Sequence, residues 1–320
     1  MDEIEFSQKI EEIFIGCYLP AIGVLKTGGR LVHYTSAEAA FSIIKNQTVW
    51  LRDSRLMNDF SELQYGFGLL NNLWKADAGQ RLKEWLDARR VGLGQKVEDH
   101  FNSFTDAIFR STYMISLSHH GDDEDLYGRL SMWRAYGGTS GVALVLNNTT
   151  FLSETQTISV FGSPVLYLDA AGFEIIFLSW VERIVNHTDF LESLSEENLV
   201  FLIFATLRTF VLCTKHPAFR EEQEWRVFYT HGVDDGSEWL EFDKLCVKGV
   251  PQTVVKMKLM DDPERGVNGV GIPTLINRII VGPCEHPEVV AETMTQALKE
   301  AGADVGPNMV TNCFIPLRQS

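Results

Sequence analysis

The sequence of 320 residues has little cysteine and lacks an apolar run long enough to cross a membrane. Its five cysteines are scattered and form no C-x-x-C pair, which is typical of reduced thiols. The apolar stretches 13–25 and 199–213 are shorter than the roughly 20 residues of a spanning helix, and Pro20 and Arg208 interrupt them. The N-terminus is acidic, unlike a secretory signal. We expect a cytoplasmic protein with no membrane association.

Basic residues are scarce relative to acidic ones. The chain has 28 Lys and Arg against 43 Asp and Glu, a formal net charge of −15. This charge disfavours non-specific binding to nucleic-acid phosphates or anionic lipid. The motifs G-x-x-x-x-G-K-[ST], G-x-G-x-x-G, G-x-S-x-G and H-E-x-x-H do not occur. Their absence excludes the common phosphate loops, the serine-hydrolase elbow and the zincin helix.

Helical and strand periodicities are mixed along the chain, which predicts an α+β fold. The predicted organisation over 1–320 is a single domain with an N-terminal helical extension over 1–29. Its core, 30–318, carries helical insertions at about 66–110 and 171–213. Short strands are predicted at 30–35, 49–51, 113–118, 141–146, 165–168, 225–229, 279–281 and 312–315.

Two of these strands contain polar residues where apolar ones are expected. His33 lies within an apolar strand, where it either bonds a ligand hydroxyl or is a core histidine whose nitrogens have protein partners. Ser116 and Ser118 share one strand face. Small hydroxyl side chains there leave room for a ligand, although an exposed serine pair on an edge strand fits the pattern equally well.

A third polar feature is the acidic stretch before the strand at 225–229. Glu222 and Glu224 are expected on one strand face, where repulsion raises one pKa and suits general-base or cation-stabilising work. The alternatives are a solvated acidic face or simple pairing with Arg220 or Arg226.

Several short motifs also follow one another in a familiar order. They are His33-Tyr34-Thr35, Trp50-Leu51, Asn58-Asp59 with Glu62, Ile115-Ser116-Leu117-Ser118, Met132-Trp133-Arg134-x-Tyr136, Gly141-Val142, Lys215, Phe219, Glu222-x-Glu224-Trp225-Arg226, Ile280-Val281-Gly282-Pro283 and Ile315-Pro316-Leu317-Arg318. This order resembles the bacterial family known as domain of unknown function 2971, over residues 30–318. The family name implies no activity.

A second, more distant resemblance is to ADP-ribosyltransferases. These enzymes carry an Arg or His on a first strand, a Ser-x-Ser or Tyr on a second and a later Glu, which is part of Glu-x-Glu in the arginine-modifying branch. His33 and the stretches 116–118 and 222–224 follow in that order. The chain departs from the pattern in having Leu117 in place of Thr, and His in place of the Arg typical beside Ser-x-Ser. The resemblance implies a split, mainly antiparallel sheet.

The same resemblance implies roles for individual residues, with NAD as substrate. Glu224 would bind the 2′-hydroxyl of the nicotinamide ribose and stabilise the oxocarbenium-like centre, and Glu222 would activate the acceptor. His33 would hydrogen-bond a ribose, while Ser116 and Ser118 would line the nicotinamide pocket. The other expected NAD contacts are Tyr34, Thr35, Trp133, Tyr136 and Arg134. The alternative for Trp133 is core packing. Arg134 either binds the pyrophosphate or forms a salt bridge with Asp59 or Glu62.

We therefore expect an NAD-consuming ADP-ribosyltransferase or NAD glycohydrolase, with a bacterial toxin or phage-defence effector as the setting. No metal is expected, and the sequence identifies neither the acceptor, protein or nucleic acid, nor the oligomeric state. Two alternatives stay open. One is a non-catalytic module that binds a nucleotide or a protein. The other is a metal-dependent nuclease using Asp59, Glu62, Glu222 and Glu224, against which the acidic charge counts.

Overall fold

The computed structural model describes residues 3–57, 61–152, 157–247 and 249–315. The Asn58-Asp59 and Pro316-Leu317-Arg318 motifs lie outside these residues. The helices are α1 (Glu3–Phe14), α2 (Leu19–Lys26), α3 (Ala37–Asn46), α4 (Ser61–Lys75), α5 (Asp77–Arg89), α6 (Leu93–Arg110), α7 (Leu130–Tyr136), α8 (Ala170–Asn186), α9 (Thr188–Glu192), α10 (Glu196–Leu212), α11 (Ile272–Leu275) and α12 (Pro287–Glu300).

Strands occur at every place where the sequence predicts one, with shifted ends. They are β1 (Arg30–Ser36), β2 (Thr48–Asp53), β3 (Thr112–His120), β4 (Gly141–Leu146), β5 (Phe161–Pro164), β6 (Leu166–Tyr167), β7 (Thr214–Lys215), β8 (Glu224–Thr230), β9 (Leu240–Val247), β10 (Val250–Lys258), β11 (Ile276–Val281) and β12 (Val310–Asn312). The α+β class is confirmed.

The chain divides by its internal contacts into two compact units. Unit 1 consists of Met1–Gly23, Ser54–Thr112 and Ser163–Arg220, and so gathers the N-terminal helix and both predicted helical insertions. Helix α10 packs on α4 and α6 in this unit. Helices α8 and α10 are rich in apolar residues, many of which are buried. The ring of Phe210 on α10 makes edge contacts with Phe173 and Trp180 on α8.

Unit 2 consists of Val24–Asp53, Tyr113–Gly162 and Glu221–Ser320 and contains an open, mainly antiparallel sheet. Along the described residues its strands follow the order β12-β11-β4-β1-β3-β2-β10-β9, and β8 also pairs with β3. The β11–β12 pair is parallel, because α12 connects these two strands. The other pairs in that order are antiparallel.

Strand β3 takes part in two ladders in succession. Its residues 113–114 pair with β2, and its residues 118–120 pair with β1. Residues 115–117 belong to neither of these two ladders. Along β3 the partner strand therefore changes from β2 to β1 around Ser116, while β8 also pairs with β3.

The first residues of two helices explain where these helices begin. Ser36 caps α3, and its hydroxyl accepts a 3.2 Å hydrogen bond from the Ala39 N–H. Pro287 is the first residue of α12, where the missing N–H of proline costs no helical bond. Within the described part of the chain, no helix combines the length and the apolar composition that would take it across a membrane.

Two strand predictions need correction. Strand β8 was expected to be half-buried, but all seven of its residues are buried, so both of its faces are covered. The hairpin of β9 and β10 was not predicted. Strand β9 contains the charged residues Glu241, Asp243 and Lys244. Pro251 lies in β10, and proline weakens a strand pattern even though sheet edges tolerate it.

Several of the motifs noted in the sequence pack together in unit 2. Trp133 and Tyr34 make an edge-to-face contact with ring centroids 4.9 Å apart. A Cβ atom at Gly282 would lie 2.7 Å from the Trp133 ring and 3.1 Å from the Gly141 carbonyl oxygen. These motifs form a core cluster, in which glycine is needed because the tryptophan ring fills the adjacent space.

We expect Gly282→Ala to lower the free energy of unfolding by about 1–3 kcal/mol, since the new methyl group meets a rigid ring and a backbone carbonyl. Urea denaturation followed by tryptophan fluorescence measures the change. Gly236→Ala is the matched control, because no atom lies within 4 Å of a Cβ at that position. Equal stability of the two variants would contradict the packing argument.

Candidate functional site

His33 lies where β1 leaves β3. Its Nδ1 is 3.1 Å from the backbone carbonyl oxygen of Ser116, in the stretch of β3 between the two ladders. A carbonyl oxygen only accepts, so Nδ1 carries the proton of this bond, and in the neutral ring Nε2 keeps its lone pair. Burial lowers the pKa of His33, and the bond to Ser116 opposes the shift. The imidazole is therefore neutral at pH 7, with Nε2 as an acceptor.

Ser116 joins the histidine to a carboxylate. Its hydroxyl donates a 2.5 Å hydrogen bond to Oε1 of Glu224, the first residue of β8. Glu224 is only 6% exposed, whereas Ser116 and His33 are partly exposed. The structure thus brings His33, Ser116 and Glu224 together, as the sequence predicted. The carboxylate of Glu224 is more deeply buried than the Ser116 hydroxyl to which it is bonded.

Arg226 holds the Glu224 carboxylate in a fork of two hydrogen bonds. Arg226 Nε donates to Oε1 at 2.9 Å, and Nη2 donates to Oε2 at 3.1 Å. Arg226 is 2% exposed, so the pair lies in the interior, where a lone carboxylate is costly. The sequence alternative of pairing with Arg226 is therefore realised for Glu224.

Glu222 does not share a strand face with Glu224, and that expectation is wrong. Glu222 ends a 3-10 helix, Pro217–Glu222, and the intervening Gln223 has a φ of 44°, in the left-handed region. This turn sends the two side chains in different directions. Glu224 points into the interior, whereas Glu222 is partly exposed and accepts a 3.4 Å hydrogen bond from the Tyr136 hydroxyl.

Three residues expected to contact NAD lie in the core instead. Tyr34 and Trp133 are 5% and 3% exposed, and their polar atoms bond to the backbone: the Tyr34 hydroxyl accepts from the Arg129 N–H, and Trp133 Nε1 donates to the Tyr127 carbonyl. Burial raises the pKa of Tyr34 to about 12. Ser118 is 2% exposed, and its hydroxyl faces the sulfur of Met132. The structure favours a packing role for all three.

The remaining expected contacts lie nearer the surface. Thr35 and Tyr136 are partly exposed, and Arg134 on α7 is exposed. No ion pair joins Arg134 to another residue that the structure describes.

The nuclease alternative requires acidic side chains to act as metal ligands. Among the residues that the structure describes, no three His, Cys, Asp or Glu side chains are grouped to hold a metal ion. Glu62 forms a 2.8 Å ion pair with Lys215, and Glu224 pairs with Arg226. Asp59 lies outside the described residues.

Arg129 is the site residue that the sequence reasoning missed. Its guanidinium donates to the backbone carbonyls of Glu221 and Glu222, which precede Gln223, and to that of His119 on β3. No motif marks it, because its partners are backbone carbonyls whose positions depend on tertiary structure.

The family described as a protein of unknown function, DUF2971, matches residues 132–227. The matched stretch includes α7, β4 and the Glu222-x-Glu224 turn but neither His33 nor Ser116, and it is shorter than the expected 30–318. Neither curated proteins nor solved structures gave a match to the chain. The comparisons support a relation to a family of unknown function.

We expect Arg226→Met to lower the free energy of unfolding by about 3–5 kcal/mol, because it leaves the Glu224 carboxylate buried without its counter-charge. The double variant Glu224→Gln, Arg226→Met removes both charges and recovers much of this loss. Urea denaturation of the two single variants and the double variant measures the coupling. Additive losses would contradict the described pairing.

The His33 environment predicts a pH dependence of stability. Its pKa in the folded chain is below the ordinary value of 6.5, so the unfolded chain binds the proton more readily. The stabilisation is therefore complete above about pH 6.5 and declines as the pH falls below it. We expect His33→Gln to flatten the fall of unfolding free energy between about pH 7 and pH 5, whereas His286→Gln, at an exposed position, keeps the wild-type slope. Parallel slopes for wild type and His33→Gln would contradict this assignment.

Proposed function

We propose that this chain cleaves NAD and transfers its ADP-ribose to an acceptor group or to water. The observation that carries the proposal is the linkage of His33, Ser116 and Glu224 where β1 and β3 diverge. A ribose that is losing nicotinamide requires a hydrogen-bond acceptor for its hydroxyls and a negative charge near C1′. In this proposal the neutral His33 supplies the acceptor, Ser116 supplies a hydroxyl and Glu224 supplies the buried negative charge.

The reaction breaks the glycosidic bond between ribose C1′ and the pyridinium nitrogen. The bonding electron pair leaves with nicotinamide, which becomes neutral, and positive charge develops at C1′. The acceptor oxygen or nitrogen then forms a bond to C1′ and loses its proton. Because the leaving group is already good, the protein mainly has to orient NAD and stabilise the developing charge.

Glu224 supplies the negative charge in this proposal. A ribose 2′-hydroxyl is a donor of the same kind as Ser116 Oγ and would donate to the same carboxylate, with Ser116 keeping its bond to Oε1. Arg226 fixes the orientation of the Glu224 carboxylate with two hydrogen bonds, so the carboxylate needs little reorganisation during the reaction. His33 would accept a hydrogen bond from a ribose hydroxyl at Nε2, since Nδ1 is occupied by Ser116.

The acceptor would approach from the side of Glu222. This carboxylate is partly exposed, and the Tyr136 hydroxyl orients it at 3.4 Å. A carboxylate in this position can take the proton that the acceptor loses. Arg134 lies on the same helix as Tyr136, and its exposed guanidinium suits a pyrophosphate.

One observation favours a non-catalytic binding module as the second candidate. Glu224 is nearly buried and already paired with Arg226, as a structural carboxylate would be. A module of this kind would be stabilised by NAD without consuming it, by RT ln(1 + [L]/Kd).

The test is release of nicotinamide from NAD by the purified full chain, followed by chromatography. We expect Glu224→Gln to lower kcat by about 100- to 1,000-fold, the usual effect of removing one preorganised electrostatic group. We expect Ser116→Ala, which keeps the Glu224–Arg226 pair, to lower kcat by about 10- to 100-fold, the equivalent of one hydrogen bond to a charged group.

Glu241→Gln is the matched control, because it removes the same charge from an exposed position on β9 and should leave turnover unchanged. Turnover that persists in Glu224→Gln would remove this residue from the mechanism. Thermal stabilisation by NAD without nicotinamide release would favour the binding module.

A further inference from the structure

Arg129 lies immediately before α7 and makes an unusually large set of hydrogen bonds with one side chain. Its Nη1 donates to the carbonyl oxygens of Glu221 at 2.9 Å and Glu222 at 3.2 Å. Its Nη2 donates to the Gln223 side-chain oxygen at 3.0 Å and to the His119 carbonyl oxygen at 2.9 Å. One guanidinium therefore joins β3 to the residues that lead into Glu224.

Among the residues that the structure describes, the carboxylate of Glu124 balances the charge of this guanidinium. Glu124 accepts hydrogen bonds from Arg129 Nε at 2.8 Å and from Nη2 at 3.1 Å. The Arg129 side chain is 12% exposed and that of Glu124 is 17% exposed. A planar guanidinium held on one edge by a carboxylate presents its other donors in fixed directions, which a lysine ammonium does not do.

The turn that Arg129 contacts is one that needs external support. Gln223 has a φ of 44°, a conformation that non-glycine residues adopt only when their surroundings impose it. The Gln223 carbonyl accepts a 2.8 Å hydrogen bond from the His119 N–H, so both polar groups of the His119 backbone take part in holding this turn. His119 lies three positions along β3 from Ser116, the partner of Glu224.

From these contacts we infer that Arg129 is a positioning residue that sets the Glu222–Glu224 turn against β3. This inference rests on the proposed function, since the turn carries both carboxylates of that reaction. Arg129 contacts neither carboxylate directly and acts through the carbonyls of 221 and 222 and the side chain of 223. It places Glu224 at hydrogen-bond distance from Ser116, and it leaves Glu222 beside Tyr136.

The test compares Arg129→Gln and Arg129→Lys with Arg278→Gln in the full chain. Arg278 is a matched control, because it forms a 2.9 Å ion pair with Asp125 close to Glu124 in sequence but has no described contact with residues 221–224. Two measurements are made on each protein. Hydrogen exchange reports the amides of His119 and of residues 222–225, with those of β4 as internal reference, and NAD turnover reports kcat and KM separately.

We expect Arg129→Gln to accelerate exchange about tenfold or more at His119 and in 222–225 while β4 exchanges as in wild type. We expect its kcat to fall about 10- to 100-fold with KM for NAD little changed, because a misplaced carboxylate weakens stabilisation of the transition state more than binding. Arg129→Lys keeps the charge without the fork and should show nearly the same loss, whereas Arg278→Gln should resemble wild type.

Three results would overturn the inference. Exchange at His119 and 222–225 that stays at the wild-type rate would show that Arg129 does not hold the turn. Acceleration that extends equally to β4 would show a general structural role. Full recovery of kcat by Arg129→Lys would show that charge alone matters. Failure of the proposed function has a different signature: the wild-type chain releases no nicotinamide, whereas the local exchange effect of Arg129→Gln persists.

Discussion

The candidate site depends on one buried ion pair. Glu224 and Arg226 lie two residues apart on β8, a strand whose residues are all buried, so each supplies the charge that makes burial of the other tolerable. The two hydrogen bonds from Arg226 fix the orientation of the Glu224 carboxylate. In this orientation Oε1 accepts the hydrogen bond from the Ser116 hydroxyl. A lone acidic residue at this position would favour solvent, and the link to β3 would then be lost.

The division of β3 between two ladders gives this ion pair its setting. Where β1 departs, the Ser116 carbonyl receives the His33 N–H, so the polar backbone at the division is satisfied by a side chain. On the other side of the same residue, the hydroxyl reaches the carboxylate. Ser116 therefore links both groups, one through its peptide and one through its side chain. Side chains therefore supply hydrogen bonds where β3 changes its partner strand.

The motifs in the sequence have two different physical origins. Those around Trp133, Gly141 and Gly282 form a packed cluster, in which residue size matters because the tryptophan ring excludes any side chain at Gly282. Those around His33, Ser116 and Glu224 are polar and linked by hydrogen bonds. The family match over 132–227 includes Trp133 and Gly141 of the first group and Glu224 of the second.

Periodicity was sufficient to predict the α+β class and most strands, and the order of the His, Ser-x-Ser and Glu-x-Glu motifs predicted the grouping of His33, Ser116 and Glu224. These features depend on local patterns, which a sequence displays directly. Only the tertiary structure decided that Ser118 and Trp133 are buried and that Gln223 turns Glu222 away from Glu224. It also decided the role of Arg129. Burial and left-handed turns depend on what packs against a residue, and the partners of Arg129 are backbone carbonyls, which every residue has.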